Sequence, residues 1–188
     1  MKKIISVITV IMLIAIALTA CGNKSKVSNE DVAAMSGKWN LVLYDCYGVK
    51  MFPKDMDAQM SFEFNKNKAV LSSDDGTDEY KWEKDGELIT IWVNDGEVSK
   101  GRTAVVEGDS FTLYWKYNDD VVQMIFAREG TDAENSDLYV TEDDVTSKML
   151  MNIDETGIME IMEKMTPEAR KAFELDEIYD SLKKAESE

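Results

Sequence analysis

Ser110-Phe111-Thr112-Leu113-Tyr114-Trp115-Lys116-Tyr117, Asn118-Asp119-Asp120 and Val121-Val122-Gln123-Met124-Ile125-Phe126-Ala127-Arg128 together decide the fold. In the first run Phe111, Leu113 and Trp115 oppose Thr112, Tyr114 and Lys116. Successive side chains of a strand point to opposite faces, so this alternation predicts a strand packed on one side and wet on the other. In the last run Met124, Phe126 and Arg128 share one face in the same way. The polar triplet between the two runs reads as a turn, which makes them antiparallel neighbours.

The same grammar extends back to Ser36. Lys38–Cys46 is the first run, and a loop with Gly48 and Pro53 follows it. Met60–Phe64 places Met60, Phe62 and Phe64 on one face, and Asn65-Lys66-Asn67-Lys68 turns it into Ala69–Ser72. Asp74-Asp75-Gly76 leads to Glu79–Glu83, where Tyr80 and Trp82 oppose Lys81 and Glu83. Asp85-Gly86, a strong hairpin dipeptide, turns this into Glu87–Val93. A longer loop from Asn94 leads to Arg102–Val106, and Glu107-Gly108-Asp109 returns the chain to Ser110. Eight strands with no helix between them close most economically into an antiparallel up-and-down barrel, which leaves no free edge. A two-sheet sandwich is the alternative.

Four pieces carry a family likeness: Gly37-Lys38-Trp39, Phe62-Glu63-Phe64, Tyr80-Lys81-Trp82 and Phe126-Ala127-Arg128. Their order resembles the lipocalin-like barrels, especially the small lipocalin-like domains of lipoproteins from Gram-positive bacteria of the clostridial kind. The resemblance covers about residues 36–129 and implies a mainly β, eight-stranded lipocalin-like barrel; the C-terminal α-helical extension expected at 130–188 lies outside it. It implies that first and last strands are neighbours, with Arg128 packed over the Trp39 ring as a barrel-closing pair. Parity agrees, placing Trp39 with Leu41 and Leu43, and Arg128 with Met124 and Phe126. Larger relatives hold an apolar small molecule inside. The matching candidate lining is Phe62, Phe64, Tyr80, Trp82, Phe111, Trp115 and Phe126. An eight-stranded barrel is just wide enough for side chains or one small ligand, and so many rings predict a filled interior.

The N-terminus reads as an address. Met1-Lys2-Lys3 is positive, Ile4–Leu18 is almost wholly apolar, and small residues follow, as in a secretory signal peptide. Leu18-Thr19-Ala20-Cys21 resembles the lipobox of bacterial lipoproteins. It implies cleavage between Ala20 and Cys21 and a lipid (diacylglyceryl and palmitate) on Cys21. Two acyl chains hold a protein stably where one does not. The expected organisation is signal peptide 1–20, lipidated tether 21–35, barrel 36–129, and acidic linker with helical extension 130–188. The expected location is the outer face of the bacterial cytoplasmic membrane.

Composition narrows the function. The net charge is −16, and loss of Lys2 and Lys3 with the signal takes it to −18, which argues against nucleic acid as a partner. There is no His, which removes the commonest general base and the commonest zinc ligand. Cys21 and Cys46 are the only cysteines, so a lipidated Cys21 leaves no intrachain disulfide. In Tyr44-Asp45-Cys46-Tyr47 the neighbouring carboxylate opposes thiolate formation. Asp74-Asp75-Gly76-Thr77-Asp78-Glu79 lacks the closing Glu of a calcium loop, so neither metal nor cofactor is expected.

The extension 130–188 holds 17 acidic and 6 basic residues, a net of −11. Leu138–Val140 reads as a short strand. Ile158, Ile161, Met162 and Met165 share a helical face, and Thr166-Pro167 reads as an N-cap with Pro at the first helical position. Leu175, Ile178, Tyr179 and Leu182 form a further apolar stripe. The change of charge and period predicts a β-domain that folds without the extension. The expected function is a non-catalytic, surface-anchored lipoprotein with an interaction or structural barrel. The alternatives are a carrier of a small apolar ligand, or an acidic binder or inhibitor of a cationic cell-envelope protein.

Overall fold

A computed structural model describes residues 27–56, 58–66, 68–95, 98–117, 120–151 and 157–186. Residues 1–20 and Cys21 lie outside them. In chain order the strands are β1 (Lys38–Cys46), β2 (Val49–Met51), β3 (Met60–Phe64), β4 (Ala69–Ser73), β5 (Gly76–Asp85), β6 (Leu88–Asp95), β7 (Val98–Glu107), β8 (Ser110–Tyr117) and β9 (Asp120–Arg128). Consecutive strands from β3 to β9 pair antiparallel, β3 pairs with β1, and β9 pairs back onto β1. The sheet is therefore a closed eight-stranded antiparallel barrel and not a sandwich. β6 runs on to Asp95 and β7 begins at Val98, and these two residues pair directly, where the sequence reading placed a longer loop.

Closure is carried by one register. Trp39 pairs with Arg128, Leu41 with Phe126, and Leu43 with Ile125, so Val42 is an extra residue on β1. This bulge corrects the strict alternation read from the sequence. Leu43 turns to the outer face, and Tyr44, opposite Met124, packs on the interior cluster instead. A single inserted residue is invisible to a period-two pattern. Leu43 is nonetheless 1% exposed, and Ala127, also on the outer face, is fully buried. The 3₁₀ turns Pro53–Asp55, Asp132–Glu134 and Ser136–Tyr139 lie against β1 and β9 there.

The lower end of the barrel is sealed by α1 (Asn29–Ala34). Ser28 caps it: its Oγ accepts from the Asp31 N–H at 3.0 Å, and the Asp31 carboxylate accepts the Ser28 N–H at 2.9 Å. That reciprocal pair satisfies two donors the helix start leaves free. Met35, at the helix end, is fully buried in the barrel core, and Val27 and Val32 pack against it. Burying one such side chain stabilises by about 1.5–3 kcal/mol. Residues 27–35 thus belong physically to the barrel, although their polar composition reads as a tether.

The extension returns to the barrel. β10 (Val145–Thr146) runs parallel to β2, and α2 (Ser147–Met151), α3 (Ile158–Lys164), α4 (Pro167–Ala172) and α5 (Asp176–Glu186) follow. Leu138 sits in a 3₁₀ turn and is 64% exposed, so the expected strand at Leu138–Val140 is replaced by that turn. Thr166 caps α4, its Oγ1 accepting from Ala169 N–H, with Pro167 in the first turn. Val49, Val145, Met165 and Ala169 form a second core with Met51, Ile161, Phe173 and Leu175 around it. The expected independence of the barrel meets a shared core at β2. The stripe on α5 is only partly used, since Ile178 is exposed.

Candidate ligand cup and its closing end

At the sealed end the Arg128 guanidinium carbon lies 4.2 Å from the Trp39 ring centroid. Both side chains follow from register: Trp39 opens β1, Arg128 ends β9, and the two are direct cross-strand partners. Trp39 is fully buried and donates its indole N–H to Met35 O at 3.0 Å. Arg128 donates to Ser36 O, to Ala34 O at 2.6 Å, and from Nε to Asp109 Oδ1 at 2.9 Å. The guanidinium thus stacks on the ring with its face, while its edge collects carbonyls left over at the end of α1. Gly37 makes this approach with φ +96, a conformation that favours glycine.

Five of the seven rings proposed as lining belong elsewhere. Phe64, Phe111 and Phe126 are buried, with Phe111 stacked on Phe126 at 4.9 Å between centroids. Trp82 meets Phe64 edge-on at 5.0 Å and donates to Asn65 O at 2.7 Å, which ties it to the lower 65–68 turn. Tyr80 is half-buried, its hydroxyl 3.4 Å from Asp78 Oδ2. Burial and the Asp78 charge push the Tyr80 phenol up from its ordinary value. Together with Trp39 these rings fill the lower half of the barrel.

The upper half is not filled. A cup of about 280 Å³ is lined by Met60, Phe62, Leu71, Leu113, Trp115, Val122 and Met124. All seven lining side chains are apolar, and Phe62 and Trp115 are the two of the seven rings that reach it. Its volume is nearly twice that of an apolar cavity of about 150 Å³ that takes up benzene. The filled interior expected from the sequence holds for the floor and not for the mouth.

Among the described residues two charged positions share the inner face around this cup: Asp78 on β5, exposed and opposite Leu71, and Arg102 on β7. Ile91, 1% exposed in the core, pairs with Arg102, and Ala104, two residues on, is fully buried. Arg102 therefore stands on the inner face of β7, and its guanidinium carbon lies 4.8 Å from the Trp115 ring centroid. Its Nε is buried, and among the described residues no hydrogen bond reaches it. A buried unsatisfied donor costs about 1–3 kcal/mol. Sequence reading passed over Arg102, although the pattern Arg102-Thr103-Ala104-Val105-Val106 carried the parity that places it inside.

The remaining candidate groups are dispersed. Asp74 Oδ2 accepts the Gln59 N–H at 3.0 Å, and Glu79 pairs with Lys68. Among the described residues no group of three or more His, Cys, Asp or Glu is placed to hold a metal ion. Cys46 is half-buried at the end of β1. Burial pushes the neighbouring Asp45 carboxyl up from its ordinary value, against the N–H of Gly48 and the charge of Lys50. Among the described residues no helix is long and apolar enough to cross a membrane. No family model matches the chain, and no curated protein matches it.

Proposed function

We propose that the barrel is the binding module of a lipid-anchored protein on the outer face of a bacterial cytoplasmic membrane, and that it carries a small apolar ligand in its upper half. The reading is non-catalytic. The observation that carries it is the wholly apolar cup of about 280 Å³ above the filled floor. It favours the carrier over a purely structural module, because a barrel needed only for its outer surface gains nothing from an open interior. Burying about a dozen carbons yields roughly 10 kcal/mol at about 0.8 kcal/mol per methylene. Association costs at least about 4 kcal/mol, so a dissociation constant in the tens of micromolar is expected.

Anchoring rests on Leu18-Thr19-Ala20-Cys21. The six steps from Cys21 to Val27 reach at most about 22 Å. Val27 packs at the sealed end, so the cup opens at the end of the barrel opposite the attachment. Mass spectrometry of the mature protein tests the anchor: a first residue other than Cys21, without lipid mass, removes it. The cup is tested with the neutral dye N-phenyl-1-naphthylamine. Wild type should give saturable fluorescence enhancement, and Leu113→Trp should weaken it tenfold or more while still melting cooperatively. Absence of saturable binding to wild type defeats the carrier reading.

A further inference from the structure

We infer that the ligand is a single-tailed amphiphile with a negatively charged head, a medium-chain carboxylate in its simplest form, and that Arg102 holds the head. This rests on the carrier reading above and adds the chemical class. The argument begins with what Arg102 lacks. Its guanidinium lies over Trp115, a wall of the cup, so the cation's face is covered. A π-face satisfies the plane of a guanidinium and leaves its in-plane N–H donors unused. Nε is one of those donors, buried and without a partner.

The chain offers 37 carboxylates, yet among the described residues none forms a salt bridge with Arg102. Every other described arginine has one: Arg128 with Asp109 and Arg170 with Asp176. An inward-facing arginine beside an apolar cup, with a buried Nε and no ion pair among the described residues, has donors to offer an anion from outside. A carboxylate suits it, since guanidinium donors match two oxygens in one plane. The net charge of −16 opposes an anion at long range, but salt screens that field beyond about 8 Å at physiological strength. Contact with Arg102 then decides. The cup beneath supplies the other half of the ligand: seven apolar walls and no polar group to receive a second charge. A tail fits there only if it is short, about ten carbons by comparison with benzene in a cavity half this size.

Calorimetric titration with decanoate and decanol, which share a chain length and differ in the head, separates the two claims. Wild type should bind decanoate about tenfold or more tighter than decanol, with the preference shrinking as salt rises. Arg102→Met should abolish the preference and leave decanol binding unchanged, while Arg102→Lys should keep part of it. Equal binding of the two by wild type, or a preference that persists in folded Arg102→Met, overturns the assignment of Arg102 and leaves the cup standing. If neither compound binds, the carrier reading fails and this inference with it. If Arg102→Met does not fold, the wild-type ratio and its salt dependence still decide.

Discussion

Replacing Arg128 by Met removes the charge and the donors at the sealed end while keeping an apolar cover over Trp39. Three contributions are lost. The guanidinium stacked at 4.2 Å on a fully buried indole contributes about 1 kcal/mol. The charge-assisted hydrogen bonds to Ala34 O and Ser36 O contribute about 1.5–3 kcal/mol together, discounted because the Arg128 side chain is 24% exposed. The Asp109 partner is 54% exposed, so that ion pair adds less than about 1 kcal/mol. The total is about 2.5–5 kcal/mol. For a chain of this size about 1 kcal/mol moves the melting point by roughly 2–4 °C, so Arg128→Met should melt at least about 5 °C lower. Near-ultraviolet circular dichroism follows the indole environment through the transition, and urea titration should show a lower midpoint at unchanged slope. Arg128→Lys should recover less than half, because one ammonium cannot stack on the ring and reach both carbonyls. A melt of Arg128→Met within about 1 °C of wild type, or full recovery by Lys, would refute the view that Arg128 locks the barrel to α1.

The extension carries two further predictions. Lys50 Nζ lies 2.9 Å from Asp144 and 2.5 Å from Tyr139 O, with both charged side chains largely shielded, so Lys50→Met should cost about 1–2 kcal/mol at pH 7 by urea denaturation. Burial raises the Asp144 carboxyl, but hydrogen bonds from Lys50 and Thr141 outweigh it and hold the group below its ordinary value of 3.8. The pair's contribution is therefore present above that value and lost as pH falls through the folded pKa; the gap between wild type and variant should narrow below pH 3.8 to what the Lys50–Tyr139 O hydrogen bond leaves, and a gap unchanged there sinks the assignment. Truncation after Gly130 should lower the melting point by more than about 5 °C, because it uncovers Leu43, Ala127 and the Val49 core; an unchanged melt would restore the independent barrel read from the sequence.

What the sequence made legible follows the physics of each element. The eight barrel strands were readable because each has a face of rings or branched aliphatics, and turns such as Asp85-Gly86 and Glu107-Gly108-Asp109 separate them. The closing strands were readable as neighbours once Gly37-Lys38-Trp39 and Phe126-Ala127-Arg128 were set side by side. Three features were not readable, for separate reasons. The bulge at Val42 adds one residue without altering composition. β2 and β10 are three and two residues long, too short for periodicity, and are defined by each other and by helices far along the chain. α1 has a polar sequence, and its burial comes from Val27, Val32 and Met35, which look scattered until the helix is wound. Ser28 and Asp31, spaced as a capping box, were the signal that marked its start.

The cup was misjudged for a different reason. Counting rings along the strands gives a crowded interior, but a count carries no height along the barrel axis, and height decides the volume left. Pairing supplies it. At the lower end a large ring faces a small residue: Phe64 pairs with Ala69. There Trp39, Phe111 and Phe126 interlock with no room to spare. Toward the other end the inner residues become Met60, Leu71, Leu113, Val122 and Met124, with Phe62 and Trp115 the two large rings among them. Small barrels alternate large and small side chains to fill their taper, and here the alternation stops halfway. Methionine and leucine cannot close the space that phenylalanine closes below, so the void collects at the mouth. Arg102 stands at that height, beside Trp115. On the filled floor the space would have gone to another apolar side chain, because a buried unpaired cation among rings is costly. Where the packing opens, the same residue has somewhere to direct its donors. The gradient of side-chain size along the axis and the position of the inward arginine are therefore one arrangement, and the proposed carrier reading and the proposed place of the head at Arg102 both rest on it.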